Sequence, residues 1–111
     1  MIRFVFSHNY NHALERIEDY IFATTESLEP VESFLDEHDG VLRFIEQNPT
    51  TPPIHPVTGD QSWIFGDGRY RLFFKIAGAS PNLVINMVHL IDNREVNESV
   101  YPANKIPTYD E

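Results

Sequence analysis

Arg69, Arg71, Phe73 and Lys75 are spaced two apart in the stretch GDGRYRLFFKI, residues 66–76. Alternate side chains of an extended chain share a face. Three cations would then surround one aromatic, with Tyr70, Leu72, Phe74 and Ile76 on an opposite, apolar face. Guanidinium groups clamp phosphates through paired hydrogen bonds, and an aromatic ring can stack on a base, so RNA is one ligand suited to this set. The other reading is an exposed strand face whose charges limit edge pairing. Spacing alone favours this second reading.

A second candidate is His89, close in sequence to Asp92, Arg94 and Glu95. A histidine beside a carboxylate is a proton-transfer pair near neutral pH, although a structural histidine is the commoner case. His8 and His12 have the spacing of two ligands on one helix face. No third ligand follows at motif spacing, so no metal is expected. His38 and His55 read as satisfied polar residues. The carboxylates form no glycosidase-like pair, GDG is a hairpin turn rather than a phosphate-binding glycine loop, and no serine lies in a nucleophile elbow. No cofactor is implied. The chain lacks cysteine, which excludes disulfides and thiolate metal sites.

The elements that would position these residues are legible in outline. The 111 residues suit one domain, 1–111. RFVFS (residues 3–7) reads as a first strand. Asn9 or Asn11 is expected to cap a helix carrying Tyr10, Ala13, Leu14, Ile17, Tyr20, Ile21 and Leu28 at helical spacing. Pro30 suits the first turn of a second helix with Val31, Phe34, Leu35, His38, Leu42 and Ile45 as its stripe; Gly40 weakens its middle and Asn48-Pro49 stops it. NPTTPPIHPVTGDQ is a stiff, proline-rich loop. SWIF and RYRLFFKIAG pair across Gly66-Asp67-Gly68 as a hairpin. LVINMVHLI follows as a largely apolar, central strand, and a short helix is expected around residues 95–100. The order β-α-α-β-β-β predicts an α+β fold, a helical hairpin on one antiparallel sheet.

The formal charge of −9 opposes nucleic-acid binding when taken as a sum, but its distribution is uneven. Residues 11–47 hold ten acids against Arg16 and Arg43, whereas residues 48–111 hold seven acids against five bases. The N-terminus MIRFVFSHNYNH has no apolar run of the length a signal peptide or membrane span needs. A cytoplasmic protein with no membrane partner is the expectation.

GRYRLFF (residues 68–74), preceded by Phe65-Gly66 and by EQNPTTP (46–52), resembles the core of the YhaV toxins of bacterial toxin–antitoxin systems, within the RelE/ParE superfamily. NREVNESVYPANK (93–105) is similar to the C-terminal segment of RelE toxins. The element order resembles that superfamily fold along nearly the whole chain. The resemblance implies a metal-independent endoribonuclease that cleaves messenger RNA, either free or on the ribosome, and is neutralised by a cognate antitoxin. In such enzymes a ribose 2′-OH attacks the adjacent phosphate while cations stabilise the pentavalent transition state. Arg71 matches the arginine of the Tyr-Arg strand motif, Arg94 the tail arginine and Tyr101 the tail aromatic. Arg69, Phe73, Lys75 and Lys105 are the accompanying RNA contacts. Ser62 and Ile64 stand where RelE carries lysines, so the proton would pass instead to His89, Asp92 or Glu95. Two other readings stay open: a ParE-like toxin that binds DNA gyrase, and an inert relative kept as a protein-binding module.

Overall fold

The computed structural model describes residues 2–93. In chain order these form β1 (Arg3–Phe6), α1 (His8–Thr25), α2 (Glu29–Gln47), β2 (Gln61–Phe65), β3 (Tyr70–Ala79) and β4 (Asn82–Asp92). The expected α+β order is present, and the predicted helix around residues 95–100 lies outside the described residues.

Ser7, rather than Asn9 or Asn11, caps α1. Its backbone N–H donates to the Met87 carbonyl at 3.0 Å, which ends β1 there. Its Oγ accepts the Tyr10 N–H at 3.0 Å and donates to the Val88 carbonyl at 3.0 Å. One side chain therefore closes the strand and satisfies a free donor of the helix. Tyr10, Ala13 and Ile17 form the buried stripe of α1, and Glu26, in left-handed conformation, ends it. Leu28 is not part of this stripe; it precedes α2 and is 64% exposed. In α2 the buried positions are Val31, Phe34, His38, Val41 and Ile45. The helix runs through Gly40 without a break.

Both stripes pack on one face of a four-stranded sheet, against Phe65, Tyr70, Leu72, Phe74, Ile85, Met87 and Leu90. Full burial of each large apolar side chain contributes about 1.5–3 kcal/mol, so this single layer contact holds the helices to the sheet. The strand order is β1-β4-β3-β2, with β4 central as expected. β2, β3 and β4 are antiparallel, but β1 runs parallel to β4. The sheet is thus mixed, a correction to the all-antiparallel expectation. Two helices, not a tight turn, follow β1, so its direction is not fixed by a hairpin.

The β2–β3 turn is built from Gly66, Asp67 and Gly68, all at positive φ. A Cβ on Gly66 would lie 2.6 Å from the Tyr70 ring, so glycine is required both by conformation and by space. Between β3 and β4 the register slips after Phe73: Phe73 faces His89, but Phe74 faces Met87. Val88 is the extra residue of this bulge. The proline-rich segment before β2 doubles back on it. Ile54 bridges Gln61, the Ser62 N–H donates to the Pro53 carbonyl at 3.0 Å, and the His55 N–H donates to the Asp60 carbonyl at 2.7 Å. Gln61 Nε2 ties the segment down through the carbonyls of Pro49 and Pro52. Among the described residues no helix is long and apolar enough to cross a membrane.

Candidate functional site

Cross-strand register assigns each candidate to a face. On β3, Arg71 lies between Ile64 and Ile91, and Phe73 between Ser62 and His89. These pairs face away from the helices. Tyr70, Leu72 and Phe74 face the helices, as the alternation predicts. Asp92 pairs with Tyr70 and so lies on the helix side, buried. His89 and Asp92 are three apart on a strand and point to opposite faces, which corrects the expected proton-transfer pair. The carboxylate that His89 feels is Asp60.

Two further expectations are corrected. Arg69 precedes β3 in the turn and is exposed. It lines a cavity of about 410 Å³ at the helix side together with Glu37, Asp67, Tyr20 and Phe34. The two carboxylates make that cavity a poor phosphate site, and Arg69 does not join Arg71. Phe73 is 0% exposed, so it offers no ring face to a base. The doubled-back loop covers it: the His55 ring meets it edge-on with centroids 5.4 Å apart, and His89 does so at 6.4 Å. Phe73 is the floor of the site rather than a contact surface. Arg94, Glu95, Tyr101 and Lys105 lie outside the described residues.

Lys75 keeps its predicted side of the strand, but its Nζ is bonded to the Asp60 carboxylate. Arg71 differs. Its Nη1 donates to Ser62 Oγ at 2.8 Å, and among the described residues no carboxylate pairs with it. A guanidinium has five N–H donors, so most of its capacity is available to a ligand. Beside it opens a cleft of about 320 Å³ lined by Pro53, Ser62, Trp63, Ile64 and Arg71. The size is at the lower end for small-molecule sites. Half-exposed Ile64 and Pro53 give it apolar walls next to a cation, an arrangement that accepts a flat ring with an attached anion.

His89 is half-buried and a diagonal neighbour of Arg71 across β3 and β4; such neighbours lie about 7–8 Å apart in a regular sheet. Burial lowers its pKa, and the Asp60 carboxylate partly offsets this. The ring is therefore held mainly neutral near pH 7 and can take a proton. His55 is pushed down by burial and by Arg71, against the pull of Asp60. Its Nδ1 accepts backbone N–H groups from Val57 at 3.2 Å and Thr58 at 3.4 Å.

Among these residues His55, Asp60 and Ser62 carry no motif that marks them in the sequence. Ser62 reads only as an absent lysine, yet it is the residue that holds Arg71. The available signal for His55 is its place in HPVTGD, where turn-forming residues double the chain back. The remaining histidines do other work. His38 is 3% exposed and bonded to the Tyr10 hydroxyl at 2.7 Å, a satisfied core histidine as expected. The His8 and His12 rings meet at a tilt of 46° with centroids 4.2 Å apart on α1; among the described residues no group of three His, Asp or Glu side chains is placed to hold a metal.

The acids of residues 11–47 lie on α1, α2 and their junction, and the sheet separates them from the Arg71 side. The face thus has a local cationic character that the net charge conceals. The sequence matches no protein-family model and no curated protein.

Proposed function

We propose that this protein is an endoribonuclease of the toxin–antitoxin kind, with Arg71 as the phosphate-binding residue and His89 as the group that takes the 2′-OH proton. The observation that carries this reading is Arg71 itself. It is a half-buried guanidinium with no carboxylate partner among the described residues, oriented by Ser62 at 2.8 Å beside an apolar-walled cleft. Desolvated cations of this kind stabilise charge that develops on a phosphoryl group.

In the reaction the 2′-oxygen attacks phosphorus, its proton passes to His89, and the bond to the 5′-oxygen breaks as that leaving oxygen takes a proton from solvent, to which His89 then returns its own. The products are a 2′,3′-cyclic phosphate and a 5′-hydroxyl end, and no water or cofactor is consumed. The element order and the GRYRLFF stretch support the RelE/ParE likeness, and that likeness implies further roles for Arg94 and Tyr101. A cognate antitoxin would cover the Arg71 side, since its acids would find cations there.

Inducible expression of wild type against Arg71→Ala with Arg94→Ala tests the proposal. Growth arrest with rapid messenger loss, relieved by the substitutions, is the expected result. Arrest with intact messenger and damaged DNA would instead mark a gyrase-directed toxin. Absence of arrest would leave an inert binding module as the reading.

A further inference from the structure

We propose that His55 is a second phosphate-binding residue, a neutral imidazole whose Nε2–H and the Arg71 guanidinium together hold one phosphodiester. This rests on the reading of the Arg71 face as an RNA site, but assigns a residue that neither the motif likeness nor the strand pattern marks.

The argument begins with the tautomer. His55 Nδ1 faces two backbone N–H donors, from Val57 and Thr58. A nitrogen that accepts from two donors carries no proton of its own, so in the neutral ring the proton resides on Nε2. Protonating the ring would set an N–H against those two donors and next to the Arg71 cation. The charged groups around it are Arg71 on β3, which opposes protonation, and Asp60 on the loop, which favours it. Asp60 is already bonded to Lys75, so its charge is largely met.

Placement supplies the second part. The ring is half-buried and packs edge-on against Phe73, two residues from Arg71 on the same face of β3. Among the described residues no hydrogen-bond partner is present for Nε2. The residue is partly exposed, so this donor is open to a ligand that displaces solvent from it. A phosphodiester has two non-bridging oxygens. One suits the Arg71 fork, and the other suits a neutral donor that adds no competing charge. A neutral donor also has a distinct kinetic use: it binds phosphate without having to gain a proton first, so the proton-transfer role stays with His89.

The test uses the full chain and a four-residue DNA oligonucleotide, which carries phosphodiesters but has no 2′-OH and is not cut by this chemistry. Long-range nitrogen–proton correlation of the histidine rings is expected to show His55 protonated on Nε2 alone, with that resonance moving as oligonucleotide is added. His55→Ala is expected to weaken binding about tenfold or more, as loss of a hydrogen bond to a charged group does. His55→Gln, which returns an N–H donor, is expected to recover most of the loss. A proton on Nδ1, unchanged affinity in His55→Ala, failure of His55→Gln to recover binding, or no oligonucleotide binding by the wild type would each overturn the proposal. Binding that depends on His55 in a protein that cuts no RNA would sustain the cradle and refute the nuclease. RNA cleavage that is unaffected by His55→Ala would do the reverse.

Discussion

Replacing Arg71 with methionine separates the work of the guanidinium from its role in packing. Methionine keeps the apolar stem that the strand buries but removes the charge and all five N–H donors. Loss of one preorganised donor to a developing oxyanion costs about 10²–10³ in rate, so cleavage of a defined RNA should fall by at least that factor. Stability responds by a different route. The single substitution leaves Ser62 Oγ, 2% exposed, without the donor now at 2.8 Å. An orphaned buried hydroxyl costs about 1–3 kcal/mol, and at about 5 °C per kcal/mol for a domain of this size the melting temperature should drop measurably. Adding Ser62→Ala removes both partners, which is close to neutral, and should restore the melting temperature without restoring cleavage. A third readout follows from electrostatics: Arg71 lowers the His55 pKa, so His55 should titrate at higher pH in Arg71→Met. The assays are single-turnover cleavage with and without ribosomes, calorimetric melting, and NMR titration of the histidine ring protons. Cleavage within threefold of wild type in a folded Arg71→Met protein, or an unmoved His55 titration, would refute the reasoning.

Three other outcomes are expected. Tyr10→Phe removes the partner of His38 Nε2 at 2.7 Å in a fully buried setting; the loss should be about 1–3 kcal/mol in chemical denaturation, and a change under 0.3 kcal/mol would contradict the bond. Burial lowers the His38 pKa below its unfolded value, with Asp39 offsetting part, so the unfolded chain binds more protons in acid. The stability this group contributes is complete above about pH 6.5 and is lost as pH falls from there through its folded value, by up to about 1.4 kcal/mol per unit. Melting temperatures from pH 8 to 5 should show the decline, and it should flatten in His38→Leu. For catalysis, the rate should rise with pH as His89 loses its proton, with a midpoint below the ordinary histidine value of about 6.5, because burial lowers its pKa. Asp60→Asn should move that limb still lower, since Asp60 holds the value up, and His89→Gln should abolish the limb.

The core side of β3 was legible because Tyr70, Leu72 and Phe74 alternate with charged neighbours, and a period of two is a local property of the strand. The helices were legible for the same reason at their own period, with Val41 the one buried position of α2 absent from the predicted stripe. What alternation misjudged was burial on the far face. Phe73 alternates correctly, but the loop of residues 48–60 folds over it, and a loop that returns across a sheet leaves no periodic trace. The adjacent pair Phe73-Phe74 is the remaining clue, because consecutive large apolar residues in a strand place one on each face and so require cover on both. Ser7 has no local signal that ranks it above Asn9 or Asn11 as the cap, because its role depends on Met87 and Val88, about eighty residues away. The parallel β1–β4 pairing has the same non-local origin.

The same loop explains why most of the site is absent from any motif. Pro52 is buried and Gln61 holds two loop carbonyls, so the loop is fixed rather than free. It delivers His55 and Asp60 to a strand that supplies Arg71 and Lys75. Asp60 neutralises Lys75 and, among the described residues, leaves Arg71 with a hydroxyl partner and no carboxylate, which divides two cations of one strand into a structural residue and an available one. Sequence spacing treats Arg69, Arg71 and Lys75 alike; the turn removes the first, the carboxylate removes the third, and the helices keep their own acids on the other side of the sheet. A net charge of −9 is therefore compatible with phosphate binding at Arg71, because screening and distance limit what acids across the sheet contribute there, whereas the neighbours within a few ångströms decide it.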